Sequence, residues 1–148
     1  MRLRSVALDD AYGLARIHAA GFDHPWSESE MAEVLMQPGM FGLAVEGDGP
    51  AGFVLCRAMA GEAEVLTVAV DPAARRCGLG LALMTGAVEG AKALGAESLF
   101  LEVAVDNAAA IALYEGLGFS RAGVRRGYYR RKASGAVDAL VMRLSLNS

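Results

Sequence analysis

The chain is short of several things, and each shortage excludes a class of protein. Only two cysteines, Cys56 and Cys77, occur in 148 residues. That is far too few for a disulfide scaffold, and the expected setting is a reduced compartment, the cytoplasm. The two histidines, His18 and His24, have no second ligand at metal-binding spacing, so no metal centre is expected. No uninterrupted apolar run approaches the ~18 residues of a membrane-spanning helix. The first ten residues carry Arg2, Arg4, Asp9 and Asp10 and no apolar run, unlike a secretory signal. Positive charge is not in excess: 14 Lys+Arg against 17 Asp+Glu leave a net charge of −3. A protein that coats nucleic acid or an anionic membrane usually has the opposite sign, and neither partner is expected. Repeats, low-complexity tracts and linkers are absent as well.

What is present is apolar. Hydrophobic residues make up 54% and charged residues 21%, ample for a core and too apolar for disorder. The length suits one domain spanning residues 1–148. Arg2 to Ala7 reads as a strand. Asp9 or Asp10 can cap a helix that carries Leu14 and Ile17 on one face. Ser27 followed by Glu30 is a capping box, which predicts a second helix to about Met36, stopped by Pro38-Gly39. Strands at Met40–Val45 and Ala51–Ala60 flank the turn Glu46-Gly47-Asp48-Gly49-Pro50. A strand at Glu64–Val70 ends at Asp71-Pro72. Leu81, Met84, Val88, Ala91 and Leu94 have helical spacing, and Gly95 is a natural stop. A strand at Ser98–Ala104 precedes a short helix capped by Asp106-Asn107. Tyr128–Arg131 and Asp138–Leu144 read as a closing pair of strands. The order is βααβββαβαββ. The strand–helix–strand passage through the middle requires a parallel pair. The expected class is α/β (α+β): one mixed sheet with helices on both faces.

Four places could carry chemistry. Arg75-Arg76-Cys77-Gly78-Leu79-Gly80 joins a strand to a helix. Its glycines permit a tight turn, and the helix start offers free N–H groups and a positive dipole end to phosphate oxygens. An ordinary flexible connection accounts for the same residues. Neither a P-loop nor the dinucleotide fingerprint is present, because the Gly-Lys-Ser/Thr and the third glycine are missing. Glu102 stands among apolar residues in the strand Leu99–Ala104. Burial there would raise its pKa into the range of a general base; the plain reading is a structural glutamate paired with an arginine, or an exposed one at a strand end. Tyr114 reads as core with a satisfied hydroxyl or as a proton donor to a leaving group. Asn107 is an N-cap that can also offer its amide to a ligand across the helix start. The basic run Arg121, Arg125, Arg126, Arg130, Arg131 and Lys132, with Tyr128 and Tyr129 inside it, is either a solvated face or a site for an acidic partner, with the tyrosines lining a groove. Cys77 has no histidine partner and reads as loop filler. Glu62 and Glu64 could face a cationic amine or solvent.

Taken together these residues resemble the GNAT family of acetyl-CoA-dependent N-acetyltransferases. Val68-Ala69-Val70-Asp71-Pro72 followed by Arg75-Arg76-Cys77-Gly78-Leu79-Gly80 is similar to the family's pyrophosphate loop. Pro25-Trp26-Ser27, Leu101-Glu102-Val103, the block Asn107–Phe119 and Arg125-Arg126-Gly127-Tyr128-Tyr129 with Asp138-Ala139 resemble its RimI-like branch, the ribosomal-protein-alanine N-acetyltransferases. The resemblance implies roles. Val68, Ala69 and Val70 would lie along the pantetheine arm, with the Val70 N–H aimed at the thioester carbonyl. Arg76, Cys77, Gly78, Leu79, Gly80 and Leu81 would wrap the pyrophosphate, with Arg75 adding charge beside them, and Asn107 would hydrogen-bond the cofactor. Glu102 would be the general base and Tyr114 the general acid. Tyr128 and Tyr129 would help hold the N-terminus of a protein substrate. Cys77 departs from the polar residue common at its position, a tolerable change where the backbone does the binding. Lys132 to Val137 form a tip at which family members vary.

The resemblance implies an acetyl-CoA-dependent N-α-acetyltransferase acting on an N-terminal Ala or similar small residue of a ribosomal protein, by direct transfer and without metal. Two other readings compete. One is an acetyltransferase for a small-molecule amine, favoured by Glu62 and Glu64. The other is a non-catalytic acetyl-CoA-binding module, disfavoured by the presence of both Glu102 and Tyr114. Oligomeric state is not legible.

Overall fold

The structure, a computed structural model, describes residues 2–47, 49–74, 78–131 and 135–147; at 128–131 the description is of the backbone. In chain order the elements are β1 (Arg2–Ser5), α1 (Ala11–Gly21), α2 (Glu28–Leu35), β2 (Met40–Gly47), β3 (Gly49–Met59), β4 (Glu62–Val70), α3 (Leu79–Ala93), β5 (Ser98–Ala104), α4 (Ala108–Gly116), β6 (Ser120–Arg131) and β7 (Gly135–Ser145). Short 3-10 turns precede α1 and α3. The expected order βααβββαβαββ is the observed one. The strands form one seven-stranded sheet in the order β1-β2-β3-β4-β5-β7-β6. Among the described residues only β4 and β5 run parallel, joined by the crossover helix α3.

The local signals act as their chemistry requires. Ser27 Oγ accepts from the Glu30 N–H at 3.1 Å and Glu30 Oε1 accepts from the Ser27 N–H at 2.9 Å, so the capping box starts α2. Asp10 behaves differently from the expected helix cap. Its side chain makes no cap hydrogen bond to α1; it accepts from the Ala7 N–H and takes a bidentate hydrogen bond from Arg4. Gly39 has φ +82°, and a Cβ there would lie 2.2 Å from the Ala58 carbonyl oxygen, so this turn admits only glycine.

Two cores lie on the two faces of the sheet. On one face α1 and α2 bury Leu14, Ile17 and Met31 against Ala44, Phe53, Leu55 and Ala69. On the other, α3 and α4 bury Leu83, Met84, Ala87, Ile111 and Tyr114 against Val54, Cys56, Leu99, Leu101 and Met142. Gly86 and Gly90 of α3 let that helix sit directly on Leu43 and Phe41 of β2.

The main departure from expectation is β6. The sequence suggests a strand only at Tyr128–Arg131, whereas pairing begins at Ser120. Residues 120–126 are exposed, and β6 is the edge of the sheet. An edge strand with solvent on both faces lacks the apolar alternation that announces a buried one.

Candidate active site

The site begins with a fault in the sheet. Strands β4 and β5 pair only at Glu62–Ser98, Ala63–Leu99 and Glu64–Phe100. Beyond Glu64 they part. The cause lies on the other edge of β4, where Leu55 faces Thr67 and Cys56 faces Val65, leaving Leu66 as an extra, bulged residue. A bulge bends its strand and increases the local twist. Strand β5 stays regular and pairs with β7 along its whole length. From Val65 to Val70 one edge of β4 therefore faces a gap instead of a neighbouring strand.

The elements that follow β4 and β5 start at the mouth of this gap. Gly78 precedes α3 in the left-handed conformation, φ +74°, and a Cβ there would meet nothing within 4 Å. Gly78, the N-cap residue of α3, has no side chain with which to cap the first turn, whose backbone N–H groups are the kind of donors that bind an anion. A Cβ on Gly80 would lie 3.6 Å from Leu113 of α4, which places the start of α3 against α4. Asn107 caps α4, its Oδ1 accepting from the Ala110 N–H at 3.2 Å and its amide group remaining a donor. Leu79 is buried under this turn, and Leu81 is exposed. Arg75, Arg76 and Cys77 lie outside the described residues. Val68 and Val70 pack toward the α3 core, and Ala69 toward the α1/α2 core.

Glu102 and Tyr114 lie on opposite faces of the sheet. Leu99, Leu101 and Val103 of β5 point into the α3/α4 core, so Glu102 points to the other face. Tyr114 lies within the α3/α4 core, with its ring edge-on to Phe119 at 6.0 Å between centroids. Burial raises the Tyr114 hydroxyl above its ordinary value, which keeps it protonated and able to donate. Glu102 is not the enclosed carboxylate that its apolar neighbours suggest. Its side chain is 25% exposed, and Oε1 accepts from Arg125 of β6 at 2.7 Å. The paired-glutamate reading thus describes its contacts, while the face it occupies keeps it beside the gap.

The remaining candidates sort themselves by contact. Within the basic run Arg125 holds Glu102, and Arg121 lies 3.5 Å from Glu115, so two of its cations are engaged inside the chain. The side chains of Tyr128 and Tyr129 lie outside the described residues; the Tyr129 backbone pairs with Val137. Between Arg125 and Tyr129 the β6 register slips, and Asp138 of β7 accepts from the Gly127 N–H at 2.8 Å, pinning the bulge. Glu64 is ion-paired to Arg57 at 2.6 Å, and Arg57 also bonds Gln37. His18 is a core group: Nδ1 accepts from the Trp26 N–H at 3.0 Å, and its ring stacks on Phe22 and Trp26. Cys56 is a free thiol, pushed up to about 12 by burial. Among the described residues no three His, Cys, Asp or Glu side chains cluster as metal ligands. No helix of the described residues is long and apolar enough to cross a membrane.

Sequence reasoning missed three features: the Leu66 bulge, the identity of Arg125 as the arginine paired with Glu102, and the Asp138 contact. A bulge has no composition signal. The ion pair joins residues 23 apart, on strands that are not neighbours in the sheet.

Comparison with known proteins agrees with this fold. The model of the acetyltransferase (GNAT) family matches residues 11–119. The [ribosomal protein bS18]-alanine N-acetyltransferase of Escherichia coli K12 is 36% identical over 98% of this chain and 95% of its own. The crystal structure of the E. coli ribosomal-protein-S18-alanine N-acetyltransferase superposes with a TM-score of 0.92 at 33% identity, over 99% of this chain and 94% of that one. Arabidopsis thaliana NAA60, solved with acetyl-CoA, shares the fold at a TM-score of 0.84 and 18% identity, over 99% of each chain. The described residues thus have the fold of these enzymes, and the chain belongs to the acetyltransferase (GNAT) family.

Proposed function

We propose that residues 1–148 form one acetyl-CoA-dependent N-α-acetyltransferase domain. Its substrate is the N-terminal alanine, or a similar small residue, of a ribosomal protein, modified in the cytoplasm. The observation that carries the reading is the gap between β4 and β5 with Glu102 on one face and Tyr114 on the other. The E. coli relative named for alanine acetylation of protein bS18, similar over nearly the whole chain, supports the substrate class.

The residues divide the work as follows. An α-amine has a pKa near ~8 and is largely protonated at neutral pH, so it must lose a proton before it can attack. Glu102 takes that proton, directly or through water, once the incoming ammonium shares its carboxylate with Arg125. The neutral nitrogen then bonds to the thioester carbonyl carbon. The Val70 N–H steadies the charge that grows on the carbonyl oxygen. As the C–S bond breaks, Tyr114 gives its proton to the departing sulfur on the opposite face. The nitrogen gives up its second proton to solvent as the amide forms, Tyr114 regains one from solvent and Glu102 releases its own, so one proton is released per turnover and no covalent enzyme intermediate is needed. Arg75, Arg76, Cys77, Gly78, Leu79, Gly80 and Leu81 hold the pyrophosphate, Val68 and Ala69 run beside the pantetheine arm, and Asn107 bonds the cofactor through its amide. Tyr128 and Tyr129 hold the peptide N-terminus.

Of the two acids that favour a small cationic amine, Glu62 and Glu64, the second is ion-paired to Arg57, which weakens that alternative. The test is thiol release from acetyl-CoA with short peptides that begin with Ala, Ser, Met or Lys, run beside small amines. Preference for the Ala peptide is the expected result. Turnover of small amines alone would overturn the substrate class and the role of Tyr128 and Tyr129. Tight acetyl-CoA binding with no turnover of any amine would favour the non-catalytic reading.

A further inference from the structure

Three polar side chains are buried among the described residues: His18, Ser98 and Thr67. Two have partners. His18 Nδ1 accepts from the Trp26 N–H, and Ser98 Oγ accepts from Arg143 at 2.7 Å. Thr67 Oγ1 is buried and has no hydrogen-bond partner among the described residues. A buried hydroxyl left without a partner destabilises the fold, and such a group calls for a specific explanation.

Its place in the sheet supplies one. Thr67 lies directly after the Leu66 bulge, on the strand that borders the gap. Its cross-strand partner Leu55 belongs to the α1/α2 core, so Thr67 shares that face. Glu102 is on the same face of β5. The last paired residues of the two strands are Glu64 and Phe100. Two residues on from Phe100 is Glu102. Two residues on from Glu64, with Leu66 as the extra one, is Thr67. Thr67 and Glu102 therefore occupy matching positions, on the same face, of the two strands that border the gap.

We infer that Thr67 is a substrate-positioning residue whose hydroxyl oxygen accepts a hydrogen bond from the α-amine that enters the gap. The inference rests on Glu102 receiving that amine. A hydroxyl oxygen on one wall and a carboxylate on the other present two acceptors to one ligand. A primary amine, with at least two N–H bonds in either protonation state, satisfies both at once. Thr67 would thereby hold the nitrogen while Glu102 removes its proton.

The experiment compares Thr67→Val and Thr67→Ser with the unaltered enzyme on an Ala-starting peptide, with Glu102→Gln alongside. Valine keeps the β-branched shape and removes only the hydroxyl. The expected result for Thr67→Val is a loss of about tenfold or more in kcat/KM for the peptide. Its acetyl-CoA affinity should be unchanged and its Tm equal or higher, because an unpaired buried hydroxyl has been deleted. Thr67→Ser should recover most of the activity. Unaltered kcat/KM in Thr67→Val, beside a disabled Glu102→Gln, would overturn the role of Thr67 alone. A fall in Tm together with weakened acetyl-CoA binding would overturn it too, by showing a structural hydroxyl. Full activity in Glu102→Gln would instead overturn the reading of the site on which the inference stands.

Discussion

On one side of the β4–β5 gap, strands β1 to β4 are an antiparallel meander covered on both faces, by α1 and α2 below and α3 above. On the other side, β5 and β7 carry the α3/α4 core on one face, while the opposite face presents Glu102, held by Arg125 of the edge strand β6. The first half is filled with large apolar side chains that are wholly buried, among them Phe53, Leu14 and Met31. The second ends in an edge strand exposed from Ser120 to Arg126. The difference separates two tasks. The closed half supplies a rigid wall with a bulge in it; the open half leaves a face to which a polypeptide end has access.

Substitutions should respect that division. Met31→Ala, at a fully buried position of α2, should destabilise the fold by about 2–5 kcal/mol. Val124→Ala, at a 56% exposed position of β6, should change stability by less than about 0.5 kcal/mol. Chemical denaturation of the two variants checks the contrast, and equal losses would break it. Tyr114→Phe should lower kcat about a hundredfold with little change in Tm, because the ring that packs on Phe119 remains and only the donor is lost. A large fall in Tm at full kcat would make Tyr114 purely a core residue.

A smaller effect concerns His18. Burial lowers its pKa from 6.5 to about 4. Protonating Nδ1 would also break its bond to the Trp26 N–H. The unfolded chain takes up this proton first, so the stability that neutral His18 contributes is complete above pH 6.5 and is lost as pH falls toward about 4. Denaturation across that window should show the decline. NMR should find the His18 ring neutral at pH 5.5; a ring that titrates near 6.5 would contradict the burial.

Much of the fold was legible in the sequence because its signals are local. Ser27 and Glu30 announce α2 within four residues, and the β-branched run Val65–Val70 announces the strand beside the gap. Strand β6 was legible only at its end, since its exposed arginines and small residues lack a period. The candidate proton donor and acceptor were legible as residue types, Glu102 in an apolar strand and Tyr114 in an apolar helix. Their placement on opposite faces was not, because it depends on which core each strand residue enters. The pairing of Arg125 with Glu102 and the buried hydroxyl of Thr67 depend on register across the sheet, which no short stretch of sequence encodes.

The central claim is that Glu102, at the gap, takes the proton from the substrate amine. The most direct measurement is thiol release by Glu102→Gln on an Ala-starting peptide, with acetyl-CoA affinity measured on the same sample. The account predicts turnover lower by about a hundredfold or more with acetyl-CoA binding intact. Turnover equal to that of the unaltered enzyme would contradict it and leave Glu102 as no more than the partner of Arg125.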